Sequence, residues 1–308
     1  MNIHVPAGTY IAAVSGGVDS VALLHMLSLM PEVMVIVAHV DHGIRSDSAS
    51  DAAFVSLLAK QYGCVFESTT LELGAEASEN TAREARYAFL TDCQHKHRAT
   101  GVITAHHQGD VIETAMINLI RGTGRRGLTA LESRPGLLRP LLQYSKQDIV
   151  NYATKEKLAW VEDSTNAQNA YLRNRLRNTV IASASEEWKA AFLACIHAQK
   201  VINTKLDHEV NVVLSYRLRG PKAVISRSWF TKLDHALACE FMYAVLRRVP
   251  VENINALVVQ RLVVALKVAK IGSKHEVDGR SYALITKRSM RFVDKITHKT
   301  LAVYNKQI

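Results

Sequence analysis

Through the first 120 residues, short apolar runs of strand length alternate with stretches whose apolar positions recur at helical spacing. Tyr10-Ile11-Ala12-Ala13-Val14, the run from Glu32 to Ala38, Cys64 to Phe66 and Gly101 to Thr104 read as buried strands. Between them, Val21 to Leu27, residues 47–61, residues 78–98 and the stretch from Asp110 to about Arg121 read as helices, with Ser78 a candidate cap. Strand and helix in this rhythm predict a Rossmann-like parallel sheet with helices on both faces. Gly122, Gly124, Gly127, Pro135, Gly136 and Pro140 mark 122–140 as irregular, and Ser145 opens a helix to Ala153. From about residue 184 the pattern changes. Residues 185–215 and 231–270 read as amphipathic helices, the latter broken near Pro250, and from Ile271 short β-like runs such as Tyr282 to Thr286 appear. The fold class is therefore α/β in residues 1–182, followed by a mainly helical domain with a short β-like end in 183–308. The boundary is set near 180–185.

Composition narrows the function. A chain of 308 residues that is 48% hydrophobic suits two domains with real cores. No run of about 18 apolar residues is present, and the start lacks a basic segment followed by an apolar one. The expectation is a cytoplasmic protein with no membrane partner. Cys64, Cys93, Cys195 and Cys239 are isolated, which argues against zinc ribbons, clusters and redox pairs and predicts buried free thiols. The net charge of +10 points to a polyanionic partner. Arg121, Arg125 and Arg126 cluster, as do Arg173, Arg175 and Arg177, and then Arg217, Arg219 and Lys222.

Three polar constellations directly follow predicted strands, the edge at which sites in parallel sheets lie. The first is Ser15-Gly16-Gly17-Val18-Asp19-Ser20. Its glycines permit a sharp turn into a helix N-terminus, a natural seat for phosphate, and it resembles the pyrophosphate loop of ATP pyrophosphatases. It contains no lysine, unlike the loop that grips β- and γ-phosphates. The bland alternative is a glycine turn capping a core helix. The second is His39-Val40-Asp41-His42 with Arg45, suited to adenosine or phosphate, while a metal site at His39 and His42 lacks a third ligand. The third is His106-His107 with Asp110 and Glu113, whose i,i+3 carboxylates share a helix face and suit Mg²⁺, an amine or proton transfer. Their alternative is plain dipole capping. Arg83 and Arg86 share a face of the 78–98 helix, and Arg173 and Arg177 share another at i,i+4 after Asp163-Ser164-Thr165-Asn166. Each pair has a solvated charged face as its alternative.

The order of these segments, with Ala82 to Tyr87, Leu119 to Gly124 and Arg139-Pro140-Leu141-Leu142, resembles the tRNA(Ile)-lysidine synthase family over residues 10–178. Gly109, Val111 and Asp41 depart from that family's pattern. The resemblance implies an ATP- and Mg²⁺-dependent ligase that joins free L-lysine to the wobble cytidine of CAU-anticodon tRNA(Ile). On that pattern Ser15, Gly16, Gly17, Val18, Asp19, Ser20, His39 and Arg86 bind ATP. Asp19, His106, Asp110 and Glu113 serve catalysis, with Asp19 and Asp110 as metal ligands. Arg121, Arg125, Arg173, Asn174 and Arg177 meet tRNA, residues 183–308 form a C-terminal tRNA-binding domain, and a homodimer stays open. The rival readings are a PP-loop tRNA 2-thiolation enzyme, a small-molecule synthetase of the ATP pyrophosphatase class and a non-catalytic tRNA-binding protein. The first needs sulfur-handling cysteines, the second leaves the basic clusters without a role, and tRNA-dependent ATP–pyrophosphate exchange separates the third.

Overall fold

The computed structural model describes residues 1–41, 48–71, 79–162, 172–218, 222–252 and 254–303. Candidate residues His42, Arg45, Ser78, the segment Asp163 to Asn166 and Arg219 lie outside them. Contacts divide the chain into two compact units, Met1–Lys200 and Val201–Ile308.

In the first unit, β1 (Gly8–Ala13), α1 (Val18–Ser28), β2 (Val33–Asp41), α2 (Ser48–Gln61), β3 (Val65–Thr70), α3 (Glu79–Lys96), β4 (Gly101–Ile103) and α4 (Gln108–Ile120) alternate as expected. The stretch read as irregular holds a short α5 (Arg125–Leu128) and a fifth strand, β5 (Leu137–Leu138). At two residues β5 is too short to show periodicity. It exists through its pairing with Val102 and Ile103 of β4. Then follow α6 (Lys146–Lys155), α7 (Leu172–Arg175), a π-helical turn (Leu176–Ile181) and α8 (Glu186–Arg217), within which the division between units falls.

All five strands are parallel, in the order β3-β2-β1-β4-β5. Alternation along β1 explains the layers. Tyr10 and Ala12 face a core that includes Leu23, Leu24 and Leu27 of α1, Val55 of α2 and Ile149 of α6. Ile11 faces the opposite core, with Leu90 and Cys93 of α3. The strand order reverses between β1 and β4, and the crevice beyond the carboxyl ends of those neighbours is where such sheets bind ligands. The segments leaving β1 and β4 carry the first and third constellations.

The second unit contains the end of α8, β6 (Val224–Ser226), α9 (Arg227–Phe230), α10 (His235–Leu246), α11 (Ala256–Val268), β7 (Lys274–Glu276), β8 (Ser281–Ile285) and β9 (Ser289–Asp294). Its antiparallel sheet has the order β6-β9-β8-β7 and packs with α10 and α11 around Phe230, Met242, Leu262 and Phe292. No helix among the described residues is long and apolar enough to cross a membrane. The four cysteines are free. Cys93 is buried and Cys64 and Cys239 are half-buried, but Cys195, read above as a buried thiol, is exposed on α8.

Candidate active site

The glycine loop is held together by one hydroxyl. Ser20 Oγ accepts the N–H groups of Ser15 and Gly16, each at 3.2 Å, and donates to the Gly17 carbonyl at 2.9 Å. The Val161 N–H donates to the Gly16 carbonyl at 3.0 Å, and the Val14 N–H to Ala38 at 2.9 Å, fixing the loop from two sides. Gly16 has φ +93°, a backbone conformation that residues with a side chain rarely adopt, so glycine suits the position. Gly17 is the N-cap of α1 and no side chain caps it, which leaves first-turn N–H groups for another acceptor. Val18 and Ser20 are buried. Ser20 therefore builds the loop, and the donors left facing outward belong to the backbone and Ser15.

His39 sits behind this loop. It is 4% exposed, and its Nδ1–H donates to the Val14 carbonyl at 2.9 Å.

The second wall is the start of α4. His107 is its N-cap: Nδ1 accepts the Gly109 N–H at 3.0 Å, and the His107 N–H donates to Asp110 Oδ2 at 2.9 Å. A Cβ at position 109 would stand 2.7 Å from His107 Cε1, so Gly109 lets the imidazole fold over the helix end. An accepting Nδ1 places the proton of the neutral ring on Nε2. That Nε2 lies 4.0 Å from Asp19 Oδ2 and 3.7 Å from Asp110 Oδ2. The loops after β1 and β4 thus bring two carboxylates to one imidazole. Asp19 also holds Lys146 Nζ, 2.7 Å from both of its oxygens. The loop that lacks a lysine in sequence receives one from the first residue of α6.

Deeper in the site, Glu113 is 1% exposed and meets two guanidiniums. Arg177 donates to its Oε2 from Nε at 2.8 Å, and Arg177 Nη2 lies 3.3 Å from Asp110 Oδ1. Arg173 Nε lies 2.7 Å from Glu113 Oε1. Arg173 ends up beside Arg177 because α7 runs directly into the π-helical turn. Burial pushes the Glu113 carboxyl up, against the pull of Arg177 and Arg173. Burial also opposes ionisation of Asp110, but His107, His106, the His107 N–H and Arg177 outweigh it and hold that carboxyl low.

His106 sits on the cationic side. Its Nδ1 is 2.7 Å from Thr104 Oγ1. Burial, reinforced by Arg139, Arg86 and Arg83 against the attraction of Asp110, pushes it down to about 4. Arg83 and Arg86 lie 5.0 and 5.6 Å from the Tyr87 ring centre. Arg139 is 6% exposed; its Nη1 donates to the Glu132 carbonyl, and it has no carboxylate partner among the described residues. The Thr104 N–H donates to the Leu138 carbonyl, so Arg139 follows β5 beside the strand end that carries Thr104 and His106.

The site therefore gathers Ser15, Gly16, Gly17, Asp19, Asp110, Glu113, Arg173 and Arg177, with His106 set among Arg86, Arg83 and Arg139. Asn174 lies on α7 between Arg173 and Arg175. Arg121 caps the far end of α4, about 16 Å from Asp110 at 1.5 Å per residue, and Arg125 follows on α5. Lys146, Arg139 and Thr104 were missed. The capping serine before Lys146 and the Arg139-Pro140-Leu141-Leu142 segment hinted at two of them, without giving either a role in the site. Asp19 and Asp110, one of them partly exposed, are a donor set that fits Mg²⁺, which takes one or two carboxylates and completes its shell with phosphates and water.

The geometry agrees with the comparisons. The model of the PP-loop domain family matches residues 3–184. The tRNA(Ile)-lysidine synthase of Novosphingobium aromaticivorans is 39% identical over 198 residues, 61% of this chain and 60% of that protein. That of Exiguobacterium sibiricum is 35% identical over 218 residues, 70% of this chain and 52% of that protein. The matched part of the chain thus spans 52–60% of these relatives' own length. The U34-tRNA thiolase NcsA of Methanococcus maripaludis shares the fold, with a TM-score of 0.51 at 16% identity over 62% of this chain and 70% of that one. A family model that covers more than half of the residues makes this chain a member of the PP-loop domain family.

Proposed function

We propose that this protein is a tRNA(Ile)-lysidine synthase that acts in the cytoplasm. Cytosine O2 of the wobble base attacks the α-phosphate of ATP, the bond to the β-phosphate breaks and pyrophosphate leaves. The deprotonated ε-amine of free lysine then attacks C2, and the C2–O2 bond breaks to release AMP. The observation that carries this reading is the meeting of two unlike compartments at one strand-order reversal. An uncapped helix start with Ser15 and Lys146 suits the departing pyrophosphate, and the buried Glu113 beside the half-buried Asp110 suits an ammonium. Asp19 and Asp110 would hold Mg²⁺, which when bound supplies charge neutralisation to the phosphates. His106, kept neutral, and the arginines beside it face the charge that develops on the α-phosphate. Arg173 and Arg177 can exchange Glu113 for the tRNA or for that anion, with Asn174 beside them on α7 and Arg121 and Arg125 farther out along the RNA.

Incubation with ATP, labelled lysine and several tRNA transcripts tests the reading. Lysine incorporated into the CAU transcript, with equimolar AMP and pyrophosphate, is expected. Formation of ADP, or no product, overturns it. The thiolation reading draws on shared fold alone, and Cys93, on the helix that carries Arg83 and Arg86, is buried in the core with Ile11 and Leu90.

A further inference from the structure

One donor between the loop after β1 and the start of α4 has nothing to bind. His107 Nδ1 accepts the Gly109 N–H at 3.0 Å, and an amide N–H can only donate, so the proton of the ring is confined to Nε2. The side chain is 13% exposed. Nε2 lies 3.7 Å from Asp110 Oδ2 and 4.0 Å from Asp19 Oδ2, beyond hydrogen-bond length in both directions. Each of those oxygens already has a nearer donor: Lys146 Nζ is 2.7 Å from Asp19 Oδ2, and the His107 N–H is 2.9 Å from Asp110 Oδ2. The fold thus sets the tautomer of this imidazole and leaves its Nε2–H without a hydrogen-bond acceptor among the described residues.

Two features hold the ring in that place. A Cβ at position 109 would stand 2.7 Å from His107 Cε1 and 3.1 Å from Nδ1, so the imidazole occupies space that only glycine leaves open. The helix start is anchored as well: the Gln108 N–H donates to the Tyr144 carbonyl at 3.0 Å, and Gln108 Nε2 to the Gln143 carbonyl at 2.9 Å. Tyr144 precedes Ser145, the cap of α6, so the segment that carries His107 is tied to the one that delivers Lys146. Both donors converge on Asp19, in the first turn of the helix whose uncapped start suits phosphate.

A fixed N–H in a half-closed site complements an anionic oxygen and needs no reorientation when that oxygen arrives. Nε2 carries the proton and so has no lone pair with which to act as a base. We propose that His107 is a further substrate-contacting residue, whose Nε2–H donates to a phosphate oxygen of the nucleotide, and that Gly109 is the residue that admits its ring. This rests on the ATP-dependent reading above.

The test titrates the full chain with a non-hydrolysable ATP analogue by calorimetry, without tRNA. His107→Asn keeps an acceptor at the cap and removes the distal N–H, whereas His107→Gln keeps an amide N–H at that reach and removes the cap acceptor. Loss of one hydrogen bond to a charged acceptor should weaken binding to His107→Asn by about tenfold to a hundredfold, with melting unaltered. His107→Gln should melt lower and keep most of the affinity. The reverse pattern makes the ring a plain helix cap and overturns the proposal. Gly109→Ala should weaken binding on its own and add nothing to the affinity loss of His107→Asn; additive losses overturn the link between the two positions. Nitrogen-15 NMR of the wild-type imidazole supplies a readout that needs no variant. The proton should sit on Nε2, and its resonance should move downfield when the analogue saturates the site. A proton on Nδ1, or an unmoved resonance, overturns the contact. Analogue binding that depends on His107, with no lysine incorporated into any transcript, upholds the contact and overturns the enzyme reading. Lysine incorporation with unaltered affinity in His107→Asn does the opposite.

Discussion

Replacing His106 by glutamine removes an imidazole that the fold keeps neutral, and the consequence is a change in how stability depends on pH. In an unfolded chain this group titrates near 6.5, and in the folded protein it is pushed down to about 4 by burial, with Arg139, Arg86 and Arg83 adding to the effect. Above pH 6.5 the ring is neutral in both states and contributes nothing to the pH dependence. Below it, the unfolded chain takes up a proton that the folded one refuses, so stability falls as pH drops from about 6.5 to about 4. At 1.36 kcal/mol per pKa unit the full loss is about 3 kcal/mol. Urea unfolding of wild type and His106→Gln across pH 7 to pH 4 reads the term, with Asp110, which His106 helps to hold low, the coupled group whose contribution changes with it. The variant should lose about 3 kcal/mol less than the wild type over that range. Adding Arg139→Gln to the wild type should move the His106 titration upward in an NMR experiment. A pH-independent difference, or a His106 midpoint near 6.5, would refute the buried cationic setting assigned to this ring.

The ion cluster predicts an asymmetry. Arg173→Gln with Arg177→Gln strands the Glu113 carboxylate and should cost about 2–3 kcal/mol at neutral pH, below the figure for fully buried pairs because both arginines are partly solvated. That cost should shrink as pH falls and Glu113 protonates, whereas Glu113→Gln should cost less throughout; equal costs in urea unfolding contradict the assignment. Ser20→Ala leaves the Ser15 and Gly16 N–H groups without an acceptor. It should destabilise by about 1–3 kcal/mol and raise the KM for ATP, and a variant with unaltered melting and KM removes Ser20 from the loop's frame. Serine at all four cysteines should leave lysine incorporation largely intact, and its loss would favour sulfur chemistry.

The sheet was legible because its signals are local. Each apolar run and the polar turn after it sit within a few residues, and the strand-end rule then sends the segments after β1, β2 and β4 to one edge of the sheet, while the order β3-β2-β1-β4-β5 makes those after β1 and β4 neighbours. β5 was not legible, since two residues carry no period and owe their form to Val102 and Ile103. The same reasoning separates Asp110 and Glu113, which one helix turn aligns, from Lys146, which reaches Asp19 across 127 positions. No spacing rule connects an α6 lysine to a loop after β1; packing of α6 on α1 does. Arg139 was legible only as part of the Arg139-Pro140-Leu141-Leu142 segment, because it follows a strand that the sequence conceals and its place beside Thr104 and His106 comes from the pairing of β5 with β4.

These late-found residues bear on how the site selects its ligands. Asp19 is already paired with Lys146, and Asp110 and Glu113 with Arg177, so any cation that enters must compete with a tethered one. A tethered partner acts at high effective concentration, which penalises weak or misplaced cations and favours one whose arrival gives the displaced group a new anion. On the proposed function, ATP would supply such an anion to Lys146, and a phosphate or the adenylated base would supply one to Arg177. Productive binding of the ammonium is thereby made conditional on the nucleotide being in place. Order of addition exposes the difference: lysine alone should bind weakly, and its affinity should rise once tRNA and a non-hydrolysable ATP analogue occupy the site. Equal lysine affinity with and without them would show that the arginine and lysine latches carry no coupling.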